Sequence, residues 1–398
     1  MSIISRIASI SLRGHSERVD MYSQYPDESQ FQLFGNLIKK AAKTDVGHRY
    51  GFGNQYNMGP MEFADIVPLC RYDDVRDVLS DAPRNRSVID NNVLSAKDVI
   101  ASYLRRNPDS AIFSGKILLM GGKDYFDKTP FWLSGNCVYE SENVYNENVT
   151  CICGYPVNIL FLLRRILGKS GKKTIRDVWP NLELMVCGGM DIAPYLSEIE
   201  SVVSNPKLKI ISTLSGPEGF LAFQDRGHDD GLLMMLDNGI YYELVPEQDL
   251  QNADCKAVPL CEARMGIRYA LIMSGNGLWR YVSGYIVEFV SLRPHRIRVV
   301  DNIYLFSNAF GERISKVQAA KAIRSACMAT GAEVRGFSAD AHLISGQSCG
   351  GLVWNIDFAI PPDDNASFAK TLEFELRRLN ESYNNLRFKN IVDEVSVK

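Results

Sequence analysis

The chain has no apolar run long enough to span a bilayer, no secretory h-region and no long basic stretch. The first absence excludes a helical membrane span. The second holds even though Met1 to Met21 carries Arg6, Arg13 and Arg18, and it removes the usual signal of export. The third, with a net charge of −3, leaves no electrostatic footprint for nucleic acid and a poor match to an anionic membrane surface. Nine cysteines, odd in number and scattered, do not make the framework of a disulfide-rich secreted chain. Free thiols in a reduced, cytoplasmic setting are expected.

Metal and nucleophile chemistry is also thinly provided. Cys151-Ile152-Cys153 places two thiols on one face of an expected strand, since side chains alternate with period two. No second Cys or His pair stands at zinc-ligand spacing, so two small core residues are the simpler reading. His228 lies in the polar run Arg226 to Gly231, which reads as a solvated loop. There is no Gly-x-Ser-x-Gly elbow and no Cys-His nucleophile arrangement.

What is present is a mixed α/β chain with enough apolar residues, 46%, for one large core and a smaller one. Residues 27–43 carry Phe31, Phe34, Leu37, Ile38 and Ala41 at helical spacing, with Asp27 as the expected cap. After Pro156 an almost wholly apolar run to Leu167 reads as a buried helix. Asn181 to Val186, ending in Gly188-Gly189, and Leu208 to Thr213 read as strands. Leu232 to Leu236 and Ile240 to Val245 flank Asp237-Asn238-Gly239, a strong hairpin signal. Tyr269 to Ser274 and Tyr281 to Val290 continue the β pattern. From Asp301 the texture changes: a helix over 316–330, strands over 332–344 and 352–360, and a last helix marked by Phe368, Leu372, Phe374, Leu376 and Leu379. This predicts a large domain over 1–300 and a small α+β domain over 301–398.

Several strings stand in a recognisable order from about residue 30 to about residue 390. They include Asp45-Val46-Gly47-His48-Arg49-Tyr50-Gly51-Phe52, the segment Phe63 to Asp74, Val178-Trp179-Pro180-Asn181-Leu182-Glu183, Glu218-Gly219-Phe220, Gly277-Leu278-Trp279-Arg280-Tyr281 and Asn308-Ala309-Phe310-Gly311-Glu312. Together they resemble the plant Gretchen Hagen three family of acyl acid amido synthetases and its bacterial relatives. The resemblance implies the adenylate-forming fold, shared with firefly luciferase and acyl-CoA synthetases. It also implies a two-step reaction. ATP, with magnesium, converts a carboxylic acid to an acyl-adenylate with release of pyrophosphate, and an amine of an amino acid then attacks to form an amide.

Measured against that resemblance, the chain departs at nearly every nucleotide position. The family's Ser/Thr/Gly-rich phosphate loop should follow Tyr72-Asp73-Asp74, yet no glycine lies between Gly59 and Gly115, and Pro83 to Asn92 runs straight into a helix. A second shortening falls between Gly122 and Asn146. Leu214 replaces an ATP-contacting tyrosine, Pro217 removes a hydroxyl and a backbone donor, and Glu218 keeps its carboxylate. Tyr285 stands where an aspartate holds the ribose. Asp301-Asn302 and Tyr304 replace the hinge Gly-Arg pair and lysine, and the chain ends at Lys398 short of a basic segment. Asn158 and Cys187 replace a tryptophan and a histidine of the acyl pocket.

A charge-assisted hydrogen bond is worth roughly 1.5–3 kcal/mol, so loss of the ribose acceptor alone weakens binding by about one to two orders of magnitude. The resulting expectation is a degenerate, non-catalytic homologue with a ligand-binding or protein-interaction role. The alternative is an active synthetase with a rearranged site. Gly188, Gly189, Leu214, Glu218, Trp279 and Tyr285 are the vestigial nucleotide or ligand positions; no residue is assigned as catalytic or metal-binding. No cofactor is expected, with ATP and magnesium entering only under the alternative. A protein or a small carboxylic acid is the expected partner.

Overall fold

The computed structural model describes residues 7–8, 10–53, 58–81, 85–120, 137–141, 143–227, 230–252, 255–343 and 348–398. The expectations for His228, for Pro83 and for most of the 122–146 segment lie outside these residues.

The N-terminal part is helical: α1 (Arg13–Gln24), α2 (Pro26–Ala41), α3 (Asp45–Arg49), α4 (Pro60–Ile66), α5 (Tyr72–Asp81) and α6 (Arg86–Arg106). Pro26 opens α2 and Tyr25 is its N-cap, so Asp27 is not the cap but lies in the first turn. There its charge meets the positive end of the helix dipole. Phe34, Ile38 and Ala41 are buried as the period predicts, whereas Phe31 is exposed.

Next come β1 (Lys116–Leu119), β2 (Cys137–Tyr139), β3 (Val149–Gly154), α7 (Pro156–Ser170), β4 (Leu184–Gly188) and α8 (Leu196–Val203). Strands β3 and β4 are parallel, as a crossover through a helix allows. Helix α7 buries Val157, Ile159, Leu160, Leu162, Leu163 and Ile166. At roughly 1.5–3 kcal/mol for each large side chain, that face dominates its stability.

Eight strands follow: β5 (Lys209–Gly216), β6 (Gly219–Phe223), β7 (Leu232–Met234), β8 (Tyr241–Pro246), β9 (Val258–Pro259), β10 (Arg268–Gly275), β11 (Leu278–Leu292) and β12 (His295–Asn302). Their spatial order is β5-β6-β7-β12-β11-β10-β8-β9. The hairpin expected around Asp237-Asn238-Gly239 does not form. Strand β7 is paired with β6 and β12, and β8 with β10 and β9. The turn is held from outside instead. The Gln30 amide of α2 donates to the carbonyls of Leu236 and Ile240, at 2.9 and 3.0 Å, and accepts from the Tyr242 amide at 2.8 Å.

The C-terminal part holds β13 (Leu305–Ser307), β14 (Ile314–Ser315), α9 (Lys316–Thr330), β15 (Glu333–Leu343), β16 (Gly350–Ile360), α10 (Asn365–Leu379), α11 (Glu381–Phe388) and β17 (Ser396–Val397). Ser315 and Gln318 form a reciprocal capping box at the start of α9. The helix expected over Phe368 to Leu379 forms as α10, and a further helix follows it. Asn380 ends α10 and caps α11, its side chain accepting from the Tyr383 amide at 2.8 Å. Phe374 of α10 is exposed rather than in the core.

By their contacts the residues fall into two compact units. One holds α1–α6 and β5–β12. The other holds most of β1 and β2, β3, α7, β4 and α8 together with everything from Tyr304 onward.

Candidate functional site

In the first unit two tight turns define the site. Gly216 pairs with Gly219 across β5 and β6, leaving Pro217-Glu218 as the turn. Gly275 pairs with Leu278 across β10 and β11, leaving Asn276-Gly277. Asn276 and Gly277 both have positive φ, 56° and 90°, which is the geometry an Asn-Gly hairpin turn favours. The Asn276 side chain joins the two turns: its Nδ2 donates to the Glu218 carbonyl at 2.9 Å. Its Oδ1 accepts from Asn91 Nδ2 of α6 at 2.8 Å.

Glu218 is only 6% exposed. A methyl group on Gly216 would fall 2.1 Å from Glu218 Oε2 and 3.3 Å from the Tyr285 hydroxyl. The carboxylate and the phenol therefore converge over one glycine. Tyr285 reaches this position from a bulge. Ala270 and Ile272 of β10 pair with Ile286 and Val282 of β11, so β11 carries two extra residues at 283–285. Ser283 Oγ anchors the bulge by donating to the Leu271 carbonyl at 2.8 Å. Bulges of this kind re-aim a side chain relative to regular alternation. Tyr285 itself is half-buried. Leu214 is half-buried on β5, opposite Ala222.

The structure brings Glu218 and Tyr285 together, and it gives Trp279 a different setting. Its ring packs against Phe52 and Phe63, with centroids 5.2 and 6.2 Å apart, in the cluster built by α2, α4 and Tyr241. The neighbouring Arg280 is buried. Its Nε donates to Glu243 Oε2 at 3.0 Å and its Nη1 to the carbonyls of Ala64 and Val67 at 2.7 and 2.6 Å. Burial raises the Glu243 carboxyl above its ordinary range, and Arg280 opposes that rise.

Sequence reasoning missed the asparagines. Helix α5 ends at Asp81 and α6 begins at Arg86. Besides holding Asn276, the Asn91 amide of α6 sits against Gly239, where a methyl would meet it at 2.4 Å. Asn85 Nδ2 donates to the Asn276 carbonyl at 3.5 Å. Asn85 and Asn91 thus tie down the turns with side-chain amides. Asn85 and Asn91 were visible in the string 83–92, but nothing local says that their partner is Asn276.

Gly188 and Gly189 belong to the second unit, at the end of β4. Gly189 has φ +80°, and a methyl there would fall 1.7 Å from the Tyr155 ring. Its carbonyl accepts from Asn308 Nδ2 at 2.9 Å. The loop bearing Asn308 is organised by Glu312, which is fully buried and accepts from the amides of Ala309 and Phe310 at 3.0 and 2.7 Å. Nearby on β3 the thiols of Cys151 and Cys153 lie 3.9 Å apart, on one face as expected. Burial holds the Cys187 thiol far above its ordinary pKa, so it stays protonated. Asn158 Oδ1, in the first turn of α7, is buried without a donor among the described residues.

Among the described residues no three of His, Cys, Asp and Glu converge to hold a metal ion. Glu218 brings one carboxylate, in a buried turn whose glycine face is shared with a phenol. No helix of the described residues is long and apolar enough to cross a membrane.

Residues 233–301, which run from β7 into β12, match the model of the GH3 family central domain. No curated protein matches the chain by sequence. Among solved structures the chain is similar to the AtGH3.15 acyl acid amido synthetase in complex with 2,4-DB, at 10% identity and TM-score 0.59, over 98% of this chain and 89% of that one. It is also similar to 2-hydroxyisobutyryl-CoA ligase in complex with 2-HIB-AMP and CoA, at 11% identity and TM-score 0.57, over 94% and 86%. At such identities the likeness establishes the fold. The central-domain match covers residues 233–301, and the structural likeness shows that the chain shares its fold with these ligases.

Proposed function

We propose that the chain is a degenerate homologue of the ATP-dependent acyl acid amido synthetases, a cytoplasmic pseudoenzyme that binds a small carboxylic acid or a protein partner without adenylating it. The observation that carries this reading is the convergence of Tyr285 and Glu218 over Gly216. A carboxylate at 285 could accept from both hydroxyls of a ribose, whereas the phenol brings one hydroxyl on a bulky ring to the same turn. The amides of Asn91 and Asn276 lend further support, because they bridge helix α6 to the turns in the part of the chain that lacks a glycine-rich loop. Removing one preorganised donor at a reacting oxyanion typically slows catalysis about 10²–10³-fold, and here several contacts change together.

One observation favours a second reading, an active acid–amine ligase with a rearranged site. Glu218 survives as a buried carboxylate at the turn. The two readings separate in a calorimetric titration with ATP and magnesium, followed by acid-dependent exchange of pyrophosphate into ATP. The first predicts no micromolar binding and no exchange above background with any of a panel of carboxylic acids. Micromolar ATP binding that is lost in Glu218→Ala, or acid-dependent exchange, would establish the second.

A further inference from the structure

A cleft of about 540 Å³ opens in the first unit between α1, the C-terminal end of α6 and the strands β7 and β12. Its charged lining is Arg105, Arg106, Arg226 and Arg296 against Asp20 and Asp225. Two positive charges are left in excess, in a chain whose net charge is −3.

The centre of the cleft shows why the excess matters. Arg296 is 4% exposed and grips Asp225 as a fork, Nη1 to Oδ1 at 2.6 Å and Nη2 to Oδ2 at 2.8 Å. Arg106 adds a second guanidinium to the same carboxylate, 2.7 Å from Oδ2. One buried carboxylate therefore faces two cations. Burial raises the Asp225 carboxyl, but the hydrogen bonds and charges of Arg296 and Arg106 outweigh it and hold the acid below its ordinary range. It remains ionised and still neutralises only one of them. Arg105 is matched by Asp20 at the rim, and Arg226 stands exposed beside Asp225. The neighbouring carboxylates Asp98 and Asp237, which share Arg18, do not line the cleft. The Arg106 side chain is 41% exposed and Arg226 lies at the surface, so the excess charge is presented to solvent, where an anion can reach it. Planar guanidiniums that share one edge with Asp225 have other N–H groups with which to meet an oxyanion. The hydroxyls of Ser16 and Ser102 add neutral donors.

We propose that this cleft binds a small phosphate-bearing molecule, with Arg106 and Arg226 clamping the phosphate group and Arg296 held in position by Asp225. The site is built from residues other than Glu218 and Tyr285, and the proposal stands whether or not the chain adenylates an acid. The probe is inorganic pyrophosphate without magnesium, titrated into the full chain by calorimetry at low and at physiological salt. The expected result is saturable binding that weakens with salt. It should fall about tenfold or more in Arg226→Gln and in Arg106→Gln, and stay unchanged in Glu218→Ala. Arg226 is exposed, so its variant keeps the fold, which thermal unfolding checks. Binding that is lost in Glu218→Ala but kept in both arginine variants would assign the anion to the turn site and overturn the proposal. Absence of saturable binding into the millimolar range in the unaltered chain would overturn it equally.

Discussion

Arg280 and Glu243 form a buried ion pair, Nε to Oε2 at 3.0 Å, with both side chains almost wholly shielded from solvent. The same guanidinium caps the carbonyls of Ala64 and Val67. Arg280 thereby straps the end of α4 to β11, and the backbone follows: the Cys70 amide donates to the Arg280 carbonyl and the Val282 amide to that of Cys70, both at 2.9 Å. Removing one member of a buried pair leaves the other charged and unmatched, at a cost of about 3–5 kcal/mol. Glu243→Ala should lower stability by that amount in urea unfolding. A loss under about 1 kcal/mol would mean that water reaches the pair.

His295 sets a pH dependence. Its ring is buried, with its centroid 5.7 Å from that of Phe289, and burial depresses its pKa below the usual 6.5, although Asp27 pulls the other way. The unfolded chain accepts a proton below about pH 6.5 that the folded chain resists. Stability is then complete above pH 6.5 and declines as pH falls toward the folded pKa, by at most about 1.4 kcal/mol per pH unit. His295→Gln, which keeps a donor for the Leu260 carbonyl, should flatten the dependence of melting temperature on pH between about 6.5 and 5. Parallel curves for the two proteins would show that His295 titrates normally.

Gly189 is held in the left-handed region with an aromatic ring over its α-carbon. Gly189→Ala should cost about 1–2 kcal/mol from the backbone alone, plus displacement of Tyr155. The double variant Gly189→Ala with Tyr155→Ala separates the two: the steric part is relieved and the backbone part persists. Full rescue in the double variant would remove the conformational explanation.

Asn276→Ala tests the link between the turns. It deletes the bonds to the Glu218 carbonyl and to Asn91, and it places alanine at φ 56°. A loss of about 1–3 kcal/mol is expected, with the signals of Gly219 and Asn91 shifting in an NMR spectrum. Unchanged resonances at Asn91 would show that the turns are independent.

The local grammar of the chain was largely legible. The helix 316–330 carries its own capping box, and the Asn276-Gly277 turn carries its own φ preference. The strands at 333–343 and 350–360 lie within a few residues of the expected limits. Long-range pairing was not legible. The flanks of Asp237-Asn238-Gly239 are strong strand formers two turns of sequence apart, but each is claimed by partners elsewhere, β7 by β6 and β12 and β8 by β10 and β9. Phe31 and Phe374 fit helical periods yet lie on solvent-facing sides, since a period identifies a face and not what covers it. At the site, Tyr285 stood out in the string around it. Its bulge, and the meeting with Glu218 over Gly216, depend on strand register, which no short motif records.

The Gln30 amide has a consequence for the order in which the chain matures. Its three partners lie 206, 210 and 212 residues downstream. At synthesis rates of about 5–20 residues per second, α2 leaves the ribosome on the order of ten to forty seconds before any of them exists. During that interval Leu33, Phe34 and Ile38 have a helix to sit on but not Tyr241 to pack against. Helix α2 is therefore made before its partners and secured late, and hydrogen exchange on ribosome-stalled chains should find the amides of α2 protected only once β8 and β10 have emerged. For this unit, a helix translated well before its partner strands waits for them to close the fold.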